Sequence, residues 1–161
     1  MSKVIGMNAP APMPAELPFL ANPPLPIGRL GPFEVASDGS LHLNPPTESS
    51  RFGFRWRDRR ISARVLAGWK VEFSVVAGYV PFTAENPASR PRVIAAVAAL
   101  REALPDGWRV RLSPDHAVYL ETEGALGRPP TVTRLLTEAA RFVLALTPCI
   151  ELLDEEGARA G

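Results

Sequence analysis

Strict two-residue alternation runs through the middle of the chain and narrows the possible folds more than any other feature. Phe52, Phe54 and Trp56 alternate with Arg51, Gly53, Arg55 and Arg57, and Ile61, Ala63 and Val65 resume the pattern after a turn near Asp58-Arg59. Beyond Gly68, the segment Trp69 to Tyr79 places Val71, Phe73, Val75 and Ala77 on one face. A strand turns successive side chains to opposite faces, so this period builds a sheet with one apolar side, which a helix of 3.6 residues per turn cannot do. Val76 makes the second face of its segment only partly polar, which predicts a central strand. Upstream, Phe33 to Ser37 and Ser40 to Asn44 flank Asp38-Gly39, a dipeptide suited to a tight hairpin because glycine takes positive φ cheaply.

Helical spacing then takes over. Ser89 is a candidate N-cap, Pro91 is tolerated in a first turn, and Val93, Val97, Leu100 and Leu104 form a stripe that Pro105-Asp106-Gly107 ends. Trp108, Val110 and Leu112 restart the alternation, Ser113-Pro114-Asp115-His116 supplies a turn, and Val118 and Leu120 complete a second hairpin. A last helix begins near Pro130 and Thr131 with a stripe of Leu135, Ala139, Phe142, Val143 and Leu146. Pro148 is expected to kink or restart it, with Ile150, Leu152 and Leu153 adding an apolar turn. The fold expected is α+β: a two-layer sandwich with one curved, mainly antiparallel sheet and two helices packed on one face, in the order strands, helix, hairpin, helix.

The first 32 residues follow different rules. Pro10, Pro12, Pro14, Pro18, Pro23, Pro24, Pro26 and Pro32 exclude a continuous helix or central strand by fixing φ and removing donors. Leu17, Phe19, Leu20 and Leu25 are the expected contacts of this extended arm, which either packs on its own domain or a twin subunit or docks in an aromatic-lined groove. Residues 33–153 are expected to form a single domain and residues 154–161 to fray.

Charge and cysteine usage constrain the environment. A net charge of +1 over 161 residues gives no whole-molecule reason to bind nucleic acid or a membrane surface. No stretch approaches the ~20 apolar residues that cross a bilayer, and Cys149 alone cannot form an internal disulfide, so a cytoplasmic protein is expected.

Chemistry-bearing residues are scattered. His42 and His116 fall in different hairpins, and one cysteine with dispersed carboxylates offers no metal-ligand spacing, so no metal or cofactor is expected. Ser113, Asp115 and His116 share a tight turn that aims them apart, against a catalytic relay. Cys149 follows Pro148 among apolar neighbours, which favours a buried thiol over an activated one. Gly124 and Gly127 lead to Arg128 and two prolines rather than to a phosphate-binding lysine. No catalytic residues are expected. The local anomaly is a basic face of Arg51, Arg55, Arg57, Arg60 and Arg64, opposite Phe52, Phe54 and Trp56. Like charges across a ladder repel, so acid is expected nearby: either Glu72, Glu121 and Glu123 on neighbouring strands, or an acidic polypeptide partner. Nucleic acid is disfavoured because that face lacks aromatics for stacking.

The segment ALREALPDGWRVRLSPDHAVYLETEGAL, followed by PPTVTRLLTEAARFVLALTPCIELL, resembles the helix, LP-containing turn, hairpin and long terminal helix of the type III secretion chaperone-like fold, in particular its YbjN-like branch. The resemblance implies a two-layer sandwich, a homodimer, and a non-enzymatic, chaperone-like domain that holds a polypeptide partner. The alternative is a structural or regulatory domain with no client, whose arm packs on its own core or dimer mate. The chain departs from the family at its front, where a Pro-rich arm replaces an amphipathic helix, and no binding residues carry over.

Overall fold

The computed structural model describes residues 26–44 and 50–160. Leu17, Phe19, Leu20 and Leu25 of the arm lie outside the described residues. In chain order the elements are β1 (Pro26–Leu30), β2 (Phe33–Ala36), β3 (Leu41–Leu43), β4 (Arg51–Trp56), β5 (Arg59–Leu66), β6 (Lys70–Tyr79), α1 (Ser89–Ala103), β7 (Trp108–Leu112), β8 (Ala117–Ala125) and α2 (Val132–Glu155). The chain is an α+β fold with both helices packed on a sheet, in the order that periodicity indicated.

The strands form two antiparallel sheets rather than one. The larger has the order β4-β5-β6-β8-β7 and places β6 at its centre, as the two apolar faces of that segment required. The smaller has the order β1-β2-β3. Its hairpin turns at Asp38-Gly39, where Asp38 accepts from the Ser40 backbone N–H at 2.9 Å. The Ser40 hydroxyl, and after it the backbone N–H, hold the Asp38 carboxyl below the usual carboxylate range. Its strands are too short to cover the helices, and it is tied beside them by backbone hydrogen bonds from Leu41 to Pro130 and from Val132 to Gly39.

The apolar sides meet in one core. Ile61, Ala63, Val65, Val71, Phe73, Val75 and Leu120 from the sheet pack against Val93, Val97 and Leu100 of α1 and Leu135, Phe142, Leu146, Ile150 and Leu153 of α2. Phe142 stacks between Phe73 at 5.4 Å and Trp108 at 5.1 Å, so one ring of α2 joins the central strand β6 to the edge strand β7. Removing that ring costs about 3–5 kcal/mol.

Several boundaries differ from the sequence expectation. The last part of the arm is a strand: β1 pairs with β2, so the folded unit extends at least to Pro26. Proline is tolerated there because it opens an edge strand. Ser89 is the first residue of α1 rather than its N-cap: Ala88 holds that position without a side-chain bond, and the Ser89 backbone N–H donates instead to the Asn86 side chain at 3.0 Å. α2 runs unbroken through Pro148. Pro148 and Leu144, whose carbonyl loses its amide partner, both lie on the solvent side of the helix, where water satisfies the freed group. The tail does not fray at Asp154. Arg159 exchanges backbone hydrogen bonds with Tyr79 at 2.9 and 3.0 Å, which holds residues 156–159 against β6.

Candidate functional site

The sheet side away from the helices carries the charged residues, and cross-strand register arranges them in rows. One row reads Arg51, Arg64, Glu72 and Glu123; the next reads Gly53, Ser62, Ser74 and Glu121; a third opens with Arg55 opposite Arg60. Directly opposed residues lie about 4.5–5.5 Å apart at Cβ, so Arg51 faces Arg64 and Arg55 faces Arg60 at close quarters. The expected basic face therefore forms from Arg51, Arg55, Arg60 and Arg64.

Arg57 does not belong to it. Arg57 and Asp58 are the two central residues of the β4–β5 hairpin and both take left-handed backbone, with φ of 43° and 62°. This reversal interrupts the two-residue period, and the Arg57 side chain reaches Glu151 of α2 at 2.8 Å. Arg59, the next residue, points to the helix side. Its side chain is only 7% exposed, and it donates to both carboxylate oxygens of Asp154 at 3.0 and 3.3 Å.

The carboxylates expected to balance the arginines serve mainly the other half of the face. Arg109 on β7 lies 3.1 Å from Glu72, 3.8 Å from Glu121 and 3.5 Å from Glu123. Arg111 reaches Glu121 at 3.0 Å, and Lys70 reaches Glu123 at 3.6 Å. Of the basic face only Arg64 is served by a carboxylate among the described residues, by Glu72 at 2.9 Å. Among the described residues Arg51, Arg55 and Arg60 have no carboxylate within ion-pair distance; Arg55 instead donates to the Asp58 carbonyl at 3.2 Å.

Between the arginine rows lies a trough of about 470 Å³, lined by Arg51, Gly53, Arg60, Ser62, Arg64 and Ser74, with Glu72 at its wall. Its floor is kept low by Gly53: a Cβ there would sit 2.7 Å from the Ile61 carbonyl oxygen, so no other residue fits without moving the strand. The Ser62 and Ser74 hydroxyls have no hydrogen-bond partner among the described residues. At its inner end Ser74 is opposite Glu121, whose charge Arg109 and Arg111 already engage.

A second cavity, about 600 Å³, lies between α2 and the β7–β8 hairpin and is lined in part by Trp108, Gly124, Glu138 and Phe142. Sequence reasoning missed Glu138, although it occupies a buried position three residues after Leu135 and four before Phe142. Its Oε1 lies 3.3 Å from Arg134 and 3.6 Å from Arg141 without the alignment of a hydrogen bond. Gly124 makes room for it, since a Cβ there would meet the carboxylate at 2.7 Å. Parity alone could have located Arg59, which shares the inward register of Ile61, Ala63 and Val65.

The other chemistry-bearing residues stay apart. Ser113 donates its hydroxyl to Asp115, which holds that carboxyl below the usual range, and not to His116. The His116 ring packs on Phe82 at 4.6 Å. His42 lies in the smaller sheet, 3.1 Å from the Ser40 hydroxyl. Cys149 is buried in mid-helix, where burial pushes its thiol pKa up, and its Sγ approaches the Ala145 carbonyl at 3.3 Å. Among the described residues there is no cluster of three or more histidine, cysteine or acidic side chains able to hold a metal, and no helix long and apolar enough to cross a membrane. No protein-family model and no curated protein matches this sequence.

Proposed function

We propose that the chain is a non-enzymatic, protein-binding domain that holds an acidic polypeptide partner against the β4–β5 half of its open sheet face. One observation carries this: Arg51, Arg55 and Arg60 stand together without carboxylates among the described residues, while the cations of β7 on the same face are paired. A sheet that leaves like charges opposed gives up stability, and an acidic ligand recovers it on binding. The half-buried Phe52 and Phe54 and the 40%-exposed Trp56 on the reverse side of β4 add apolar surface for the same partner at the sheet edge.

This accords with the secretion-chaperone-like resemblance, and with a cytoplasmic protein that works as a homodimer. For a homodimer the support is a stripe on α2, where Leu136 and Leu144 are 56% and 75% exposed on either side of Ala140. Light scattering of wild type and Leu144→Glu tests it: a dimer that the substitution splits supports the contact, and a wild-type monomer removes it.

Polypeptide binding is tested by fluorescence anisotropy with labelled polyglutamate against wild type, the Arg51→Glu/Arg60→Glu variant, and a chain lacking residues 1–25. Saturable binding lost in the charge-reversed variant is expected. Equal binding by the variant removes the face from the function, and an absence of binding to any acidic polypeptide favours the clientless structural domain. Unchanged binding after truncation removes the arm from recognition.

A further inference from the structure

We infer that the trough between the arginine rows is a receptor for a phosphate monoester carried on the bound polypeptide, a conclusion that rests on the polypeptide-binding function proposed above. Its floor, walls and charge each favour a doubly charged tetrahedral oxyanion over a single carboxylate.

The walls carry three guanidinium groups, Arg51, Arg60 and Arg64, against the single carboxylate of Glu72, which Arg64 and Arg109 engage. Arg60, Ser62 and Arg64 alternate along β5, and Arg51, Gly53 and Arg55 lie opposite them on β4. Strands are about 4.8 Å apart and rise about 3.4 Å per residue, so the two arginine pairs are separated by only about 14 Å of strand, and Arg51, Arg60 and Arg64 line the trough between them while Arg55 turns toward the Asp58 carbonyl. Guanidinium presents planar, paired donors that match phosphate oxygens, and several can share one phosphate.

The floor supplies short donors. Ser62 and Ser74 sit side by side across β5 and β6, with hydroxyls that nothing among the described residues engages. Gly53 extends this floor to the β4 edge, and no larger residue fits there. A bulky side chain in that row would close the trough; a glycine and two serines hold it open and line it with donors.

Charge selects the ligand. Arg64 and Arg109 draw on Glu72, which leaves Arg51, Arg55 and Arg60 as three positive charges without carboxylates among the described residues. A carboxylate offsets one of them, whereas a phosphate monoester carries about −1.5 to −2 near neutral pH. Glu121 is the next residue across the ladder from Ser74, beyond the trough lining, so an anion is favoured toward solvent and the β4 edge, where an extended polypeptide can reach while its backbone stays outside.

Calorimetric titration of the full chain at fixed ionic strength tests this with three peptides of one acidic sequence, carrying phosphoserine, glutamate or serine at the central position, alongside inorganic phosphate and a single-stranded oligonucleotide of equal charge. The phosphoserine peptide is expected to bind at least about tenfold more tightly than its glutamate counterpart, a difference of about 1.4 kcal/mol. The Ser62→Ala/Ser74→Ala variant should lose most of that advantage while binding the glutamate peptide unchanged, and Arg60→Gln should weaken both. Arg111→Gln, on the paired half, should alter neither. Competition by inorganic phosphate but not by chloride supports a phosphate site. Equal affinity for the phosphoserine and glutamate peptides overturns the phosphate inference and leaves acidic-polypeptide binding standing. Failure of all three peptides overturns both, and tighter binding of the oligonucleotide overturns the choice of a polypeptide carrier. All substituted positions are on the solvent side of the sheet, and circular dichroism checks that each variant is folded.

Discussion

The two halves of the open sheet face use the same residue types to opposite ends. On β7, Arg109 and Arg111 reach Glu72 of β6 and Glu121 and Glu123 of β8, so that even where Glu72 faces Glu123 across the ladder the carboxylates have guanidinium partners. On β4 and β5, Arg51 meets Arg64 and Arg55 meets Arg60. The first arrangement completes itself, and its carboxylates are mostly shielded by the guanidiniums above them. Among the described residues, the second leaves Arg51, Arg55 and Arg60 without a carboxylate partner. A surface that merely needed solubility would be served by the first pattern throughout, so the second is where the proposed partner is sought.

The contrast breaks most readily through binding. Reversing Arg51 and Arg60 to glutamate should lower affinity for polyglutamate by roughly a hundredfold, since two attractive contacts become repulsive. The same assay on Arg111→Gln should show a change of less than about twofold; a comparable loss there would place the partner on the wrong half.

Stability sharpens it next. Arg109→Ala removes the cation shared by three glutamates, leaving each with its single remaining partner, Arg64, Arg111 or Lys70, and should cost about 0.5–1 kcal/mol in urea unfolding. Arg60→Ala removes a like-charge contact and should be neutral or stabilising by about 0.5 kcal/mol. In about 1 M salt, where screening reaches about 3 Å, both effects should shrink toward zero. Equal destabilisation by the two alanines would mean that Arg60 has a partner.

The β4–β5 turn offers a test of comparable size that does not touch the trough. Replacing Arg57→Asn together with Asp58→Gly supplies residues that accept left-handed backbone and should raise stability by about 0.5–1 kcal/mol, net of an exposed ion pair with Glu151. Peptide affinity should be unaffected, because Arg57 points toward α2.

The smallest effect is a pH control. Asp38 and Asp115 titrate below the ordinary carboxylate range, so the hydrogen bonds that tighten their hairpin turns are complete above that range. They are lost only as pH falls through the lowered values. The amide resonances of Ser40 and Ala117 should report this loss on the acid side of the ordinary carboxylate range, with the β4–β5 amides unmoved.

Parity and helical spacing made most of the fold legible. Phe73 and Val75 identified the central strand, Leu135, Phe142 and Leu146 the inner side of the last helix, and Asp38-Gly39 the β2–β3 hairpin. What sequence could not supply was pairing over distance. Nothing local says that Arg159 returns to Tyr79, or that Glu138 faces Gly124, because each depends on which strand lies under α2. The clustering of Arg51, Arg55, Arg60 and Arg64 was readable from alternation, whereas the exclusion of Arg57 required the turn geometry. Pro148 shows a different limit: its effect on α2 depends on whether the freed carbonyl meets water or core, and single-sequence periodicity leaves that side of the helix undecided.

Chemical-shift mapping during a polyglutamate titration bears most directly on the contrast between the halves. The account predicts that perturbations gather at residues 51–55, 60–64 and Ser74, and leave Arg109, Arg111 and Glu121 nearly still. Perturbations centred on β7 and β8, or spread evenly over both halves, would contradict it.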